Sequence, residues 1–172
     1  MSTEHLTDRP AEHPGIARFR EELARRGGTG EVVVLPESVH TAALAAEALG
    51  CEGGAIANSL VFTSGPDGPD GEAGPALILT SGAHRVDVAA TAARIGVAAL
   101  GRADAAFVRR HTGQVIGGVS PIGHPAPVPT YLDSWLRRHP VVWAAAGHPA
   151  AVFSSTYEEL LVMTGATEID VD

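Results

Sequence analysis

Apolar positions recur at helical spacing near the start of the chain, where GIARFREELARRGG (15–28) places Ile16, Phe19 and Leu23 on one face and ends on paired glycines. EVVVLP (31–36) predicts a strand, and VHTAALAAEALG a helix with Ser38 as its cap and Gly50 as its stop. GAIANSLVFTS (54–64) alternates as a strand and ALILTS (76–81) as its return, with the turn-forming GPDGPDGEAGP between them, so a hairpin is expected. RVDVAATAARIG (85–96) and ADAAFVRRHTG (103–113) read as helices. In the second, Asp104 lies early and Arg109 and Arg110 late, as the helix dipole favours. YLDSWLRRH (131–139) predicts a short helix, VVWAAAG (141–147) and AVFSS (151–155) strands, TYEELLVMTG (156–165) a helix capped by Thr156, and TEIDVD a last strand. Such mixing, with one hairpin, predicts an α/β (α+β) domain in which helices flank a mixed sheet. Residues 1–13 read as a flexible tail and 14–172 as one domain.

Composition narrows the chemistry. The 172 residues suffice for one full core, and aromatics are only 5%, so Ala, Val and Leu must fill most of it. All 12 basic residues are arginine. Without lysine there is no Schiff base, no P-loop lysine and no Ser–Lys dyad. A net charge of −8 argues against indiscriminate coating of nucleic acid but permits a local arginine patch. The single Cys51 allows no internal disulfide and no cysteine zinc cluster. No apolar run is long enough to span a bilayer, and the acidic start lacks a signal pattern, so no membrane association and a cytoplasmic location are expected.

The most unusual local stretch is GGVSP within HTGQVIGGVSPIGHP (111–125). Gly117 and Gly118 can take positive φ and admit a close neighbour, while Pro121 stiffens the exit and biases Ser120 toward extended backbone. Such a loop can aim successive N–H groups into one concavity. Ser120 does not sit in a G-x-S-x-G elbow, because Ile122 holds the place of the second glycine. His84, His111, His124 and His148 lack metal-ligand spacing, so no metal and no cofactor are expected. GGTG (27–30) precedes a strand, the wrong order for a dinucleotide fingerprint. Asn58 and Ser59 are polar residues inside an apolar strand. They point to opposite faces, so one of them meets the interior or a pocket. Gly147 and His148 end a strand, where a cleft or a simple turn is expected.

Taken in order, GAIANSLVF, ALILTSGAHRVD, ADAAFVRRHTGQVIGGVSPIGHP and VVWAAAGHPAAVFSSTYEELLVMTG resemble the YbaK/EbsC family, the prolyl-tRNA-synthetase-associated editing domain, from about residue 35 onward. The resemblance implies a partly barrel-like mixed sheet and hydrolysis of tRNA carrying the wrong amino acid. The family's G-x-x-x-P loop falls on Gly117–Pro121, and the amides of Gly118, Val119 and Ser120 are expected to receive the oxyanion. Asn58 stands where many members have lysine, so Asn58 and His148 would orient the substrate without that charge. Thr41, Gly117, Pro121 and Gly147 are expected to border it. Arg109, Arg110, Arg137 and Arg138 are the candidates for tRNA phosphates. The implied partner is aminoacyl-tRNA, with an aminoacyl-tRNA synthetase as a further one, and the chain is expected as a monomer or homodimer. The missing lysine keeps a second reading open, a module that binds aminoacyl-tRNA or a small ligand without turnover. A third is a small-molecule hydrolase using Ser120 or a histidine.

Overall fold

A computed structural model describes residues 12–36, 38–65 and 73–172. The fold follows from one hairpin. Strands β2 (Ile56–Ser64) and β3 (Gly74–Ser81) pair antiparallel from Ala57↔Ser81 to Ser64↔Gly74. The predicted hairpin is therefore present, though residues 66–72 of its turn lie outside the described residues. β3 is buried from Ala76 to Ser81 because the sheet continues on its far side, through β5 (Thr130–Asp133) and β8 (Thr167–Ile169), both parallel additions. On the other flank β2 meets β6 (Val142–Ala145), then β7 (Ala151–Ser155), then β1 (Val32–Val34). Among the described residues the strand path is open, ending at β1 and β8, with β4 (Leu100–Arg102) attached to the far end of β2.

Strand alternation sorts the two faces. Ala57, Val61, Leu77 and Leu79 face the main core, shared with α1 (Pro14–Arg25), α4 (Ala105–Thr112) and α5 (Tyr157–Thr164). Phe153 is fully buried there, with its ring 4.7 Å from that of Phe19. Such burial contributes roughly 1.5–3 kcal/mol per large apolar side chain. The opposite face carries two smaller clusters. Ala76 and Ile78 pack with Ala92 of α3 (Val88–Ile95). Ile56 packs with Ala45 and Ala46 of α2 (Ala42–Leu49).

Several local expectations need correction. The cap of α2 is Thr41, whose hydroxyl accepts from Leu44 N at 3.1 Å, rather than Ser38. The expected helix over 131–139 begins as strand β5 and becomes a short 3-10 turn only from Ser134 to Arg138. Parallel pairing with β3 and β8 overrides helical spacing there, and the buried Asp133 fixes the change of direction by accepting from Ser81 N and Trp135 N. β4 has no counterpart in the expected pattern, being three residues long with a central glycine. Of the expected tail, residues 1–11 lie outside the described residues; Glu12 and His13 are described, and Glu12 pairs with Arg20 at 2.6 Å.

Candidate functional site

The site begins as a defect in sheet pairing. Gly82 N donates to Ile56 O at 2.8 Å, so the main chain of Ile56 faces β3. Alternation then turns the N–H and C=O groups of Ser59 and Val61 to the opposite edge of β2. That edge pairs with β6 only at Ile56 and Ala57, and with β4 only from Phe62 to Ser64. Between them the sheet is split. A cavity of about 660 Å³ occupies the split, walled by Ser59, Val61, Leu100, Val108, Ile116 and Val119. Arg102 stands at its β4 side. The hydroxyl of Ser59 is the one buried side-chain polar atom among the described residues with no hydrogen-bond partner.

The loop that closes this cavity is the GGVSP stretch. α4 stops at Gly113, which takes φ 72°, and Gly118 N donates to Val115 O at 3.0 Å, folding 115–118 into a turn with Gly117 at φ 90°. A Cβ on Gly118 would lie 2.7 Å from the main chain of His148 and Pro149, so the loop is seated directly on the 147–149 turn. Gln114 then clamps the loop. Its Oε1 accepts from Ser120 N at 2.6 Å, and its Nε2 donates to Ser120 Oγ at 3.0 Å. Ser120 Oγ in turn donates to Ile122 O at 2.6 Å. His124 Nε2 lies 2.8 Å from Ser120 O, and since a carbonyl only accepts, that nitrogen carries the proton. Burial holds the His124 imidazole below its ordinary pKa, favouring the neutral ring that this bond uses.

These bonds change the expected site. Of the three amides expected to face an oxyanion, those of Gly118 and Ser120 are already engaged. The amide of Val119 alone has no acceptor among the described residues. The Ser120 hydroxyl gives its proton to Ile122, so it is a structural tie rather than a poised nucleophile. Asn58, one residue from Ser59, points to the other face of β2, opposite Thr80, and lines neither cavity. Thr41 lines neither cavity, its hydroxyl serving as a helix cap.

A second cavity, of about 630 Å³, lies on the other side of the same loop, against α1. Ser120, Gly147, His148 and Arg109 reach it, as do Gln114 and Arg18. Gly147 takes φ 84° and packs on the first turn of α1, where a Cβ would meet Gly15 O at 2.7 Å. His148 Nδ1 accepts from Ala150 N at 3.0 Å, and His13 Nδ1 accepts from Gly15 N at the same distance, with the two rings 4.5 Å apart. Pro121 is buried within the loop. The other expected phosphate contacts are elsewhere. Arg137 pairs with Glu168 and stacks on Tyr157, and Arg138 lies 3.1 Å over the Trp135 ring. Arg110, on α4 beside Arg109, does not line this cavity. Gln114 and the contribution of α1 were not expected. Gln114 is the only side-chain amide in 111–125, directly after a helix-ending glycine, and that was the available signal.

Comparison with known proteins gives this geometry a context. Among solved structures, the chain is 42% identical to a protein described as a candidate trans-editing enzyme for prolyl-tRNA synthetase, with a TM-score of 0.82, covering 94% of this chain and 99% of that one. It is 41% identical to a scaffold used in computational grafting of linear epitopes, with a TM-score of 0.84 and the same coverage. A third, the hypothetical protein APE2540, is 25% identical with a TM-score of 0.77, covering 90% of this chain and 98% of that one. No curated protein matches the sequence. The family profile described as the aminoacyl-tRNA editing domain matches residues 36–162, a span that holds the split strand, the clamped loop and the 147–149 turn. By that match the chain belongs to the aminoacyl-tRNA editing-domain family.

Proposed function

We propose that this chain is a deacylase that hydrolyses mischarged aminoacyl-tRNA in trans, with the ester seated in the split of the sheet. The observation that carries the reading is the pairing of two donors without partners among the described residues, the Val119 amide and the Ser59 hydroxyl, on residues that wall one apolar cavity. In this reading the ester carbonyl lies against the Val119 N–H. Water adds to the carbonyl carbon and charge collects on its oxygen. The tetrahedral species then collapses, the ribose oxygen leaves with the proton released by water, and the free amino acid departs. Attack by the vicinal ribose hydroxyl would only pass the acyl group to the neighbouring oxygen, so water is the nucleophile that frees the amino acid. The aminoacyl ester is already activated, so holding it beside a fixed donor suffices and no protein nucleophile is needed. Leu100, Ile116 and Val108 offer an apolar wall to the amino-acid side chain, and Ser59 offers it or the ester one hydrogen bond.

The likeness to a candidate trans-editing enzyme for prolyl-tRNA synthetase makes mischarged proline tRNAs the first substrates to assay. The test is amino-acid release by the wild type and by a semisynthetic protein in which the amide at Val119 is replaced by an ester, removing its N–H alone. Losing one such donor costs about 100- to 1,000-fold in rate. An unchanged rate removes the loop amide from the mechanism. One observation favours the second reading, binding without turnover: with two of the three loop amides engaged and no lysine at position 58, a single loop amide is left for the ester. Saturable binding of mischarged tRNA with no release of amino acid selects it.

A further inference from the structure

The cavity under α1 has the chemistry of an anion site rather than an ester site. Two arginines line it, Arg18 and Arg109, and neither has an ion-pair partner among the described residues. Arg25 also lines it but is held by Glu22 at 3.0 Å. Glu21 is the one carboxylate there without such a partner, so unpaired positive charge exceeds unpaired negative charge in a protein whose net charge is −8. The two imidazoles add donors. In each neutral ring Nδ1 is occupied by a backbone N–H, so the ring proton sits on Nε2 and both side chains present N–H groups.

We infer that this cavity binds the phosphate linking the terminal nucleotide of the tRNA to the rest of the strand, with Arg18 and Arg109 as its charged contacts and His13 and His148 as N–H donors. The inference rests on the deacylase reading for the identity of the ligand, and on the cavity itself for its charge. Ser120 faces this cavity and Val119 the split, and adjacent α-carbons are about 3.8 Å apart. A ribose laid across the loop would therefore put its ester in the split and its 5′-phosphate against α1. This explains why α1 is fitted so tightly to the 147–149 turn that neither Gly15 nor Gly147 has room for a Cβ.

The test compares adenosine 5′-monophosphate with adenosine by calorimetry on the full chain, and aminoacyl-adenosine with and without the 5′-phosphate by hydrolysis. Wild type is expected to bind the monophosphate at least tenfold more tightly than adenosine. Arg18→Gln and Arg109→Gln should each remove about tenfold of that preference, the scale of one charge-assisted hydrogen bond. Arg85→Gln, outside the cavity, should leave it intact. Equal binding of the two nucleosides, or a preference kept by both variants, overturns the phosphate subsite. A preference lost instead in Arg102→Gln also overturns it, by moving the phosphate to the split. If wild type prefers the monophosphate but hydrolyses neither aminoacyl-adenosine, the subsite stands and the deacylase reading fails. If it hydrolyses both at the same rate and affinity, the subsite fails and that reading stands.

Discussion

The two cavities that share the 117–121 loop differ in every respect that matters to a ligand. The split between β6 and β4 is apolar, with one hydroxyl and one amide that have no partner among the described residues. The cavity under α1 is lined by two arginines and one glutamate without ion-pair partners among the described residues, and by two imidazoles whose tautomers are fixed by backbone N–H groups. Successive residues of one short loop, Val119 and Ser120, supply the wall between them. The lesson is that a stiff loop can sort the uncharged and charged ends of one substrate to its two sides. That requires the loop to be held from behind, and Gly118, Gln114 and His124 hold it.

Breaking the wall should therefore damage both cavities at once. Gly118→Val places a Cβ 2.7 Å from the main chain of His148 and Pro149, so the loop must lift off the turn. Displacement of about 1 Å can cost 100-fold in rate, and overpacking costs roughly 1–3 kcal/mol of stability. Initial deacylation rates and monophosphate affinity should both fall, with the denaturation midpoint lowered by that smaller amount. A variant that binds and turns over as wild type would show that the two cavities do not depend on the loop's seat.

Gln114 offers a gentler break. In Gln114→Ala the Ser120 N–H is left without its acceptor inside a buried loop, a loss of about 1–3 kcal/mol. Deacylation should drop about tenfold through lost positioning rather than lost contact with substrate. Gln114→Glu keeps an acceptor for Ser120 N–H but loses the donor to Ser120 Oγ, so it should fall between the two. If alanine and glutamate behave alike, the clamp is not what aims the loop.

How much of this was legible in the sequence depends on how far each feature is local. The hairpin, the helix-ending glycines 50, 96, 113 and 165, and the cap Thr156 follow from short-range rules. The 131–139 segment was misread because its strand half exists only through pairing with β3 and β8, which are distant in sequence. The glycine loop announced itself, but not the engagement of its amides, since Gln114 turns back upon it through a side chain. Strand alternation offered Asn58 and Ser59 as alternatives and the family pattern favoured Asn58, whereas the structure gives the cavity to Ser59. The basic cavity was hidden because Arg18 and His13 lie before the span carrying the resemblance, and only tertiary packing brings α1 to Arg109.

Ser59 separates the cavities most cleanly. Its hydroxyl is buried without a partner, so Ser59→Ala removes an unsatisfied group and should leave stability unchanged or slightly raised. Deacylation should fall several-fold, about 1 kcal/mol, while monophosphate affinity stays at the wild-type value. A matched loss of nucleotide affinity would merge the two cavities into one site.

The smallest effect is on stability alone and concerns the clamp from the other end. His124 is half-buried and donates to Ser120 O, and its folded-state pKa lies below the ordinary imidazole value of about 6.5. The unfolded chain therefore binds a proton at this residue more readily than the folded one does. Stability rises with pH wherever the unfolded state holds more protons, so the His124 contribution is complete above about pH 6.5 and is lost as pH falls toward the folded value. Denaturant unfolding at pH 7.5 and pH 5.5 should show the wild type weaker at the lower pH. His124→Gln keeps an N–H for the carbonyl but cannot titrate, so it should lose less over the same interval. An equal loss in both proteins would assign the acid sensitivity to other groups, and the loop would then be held against pH by Gln114 without help from His124.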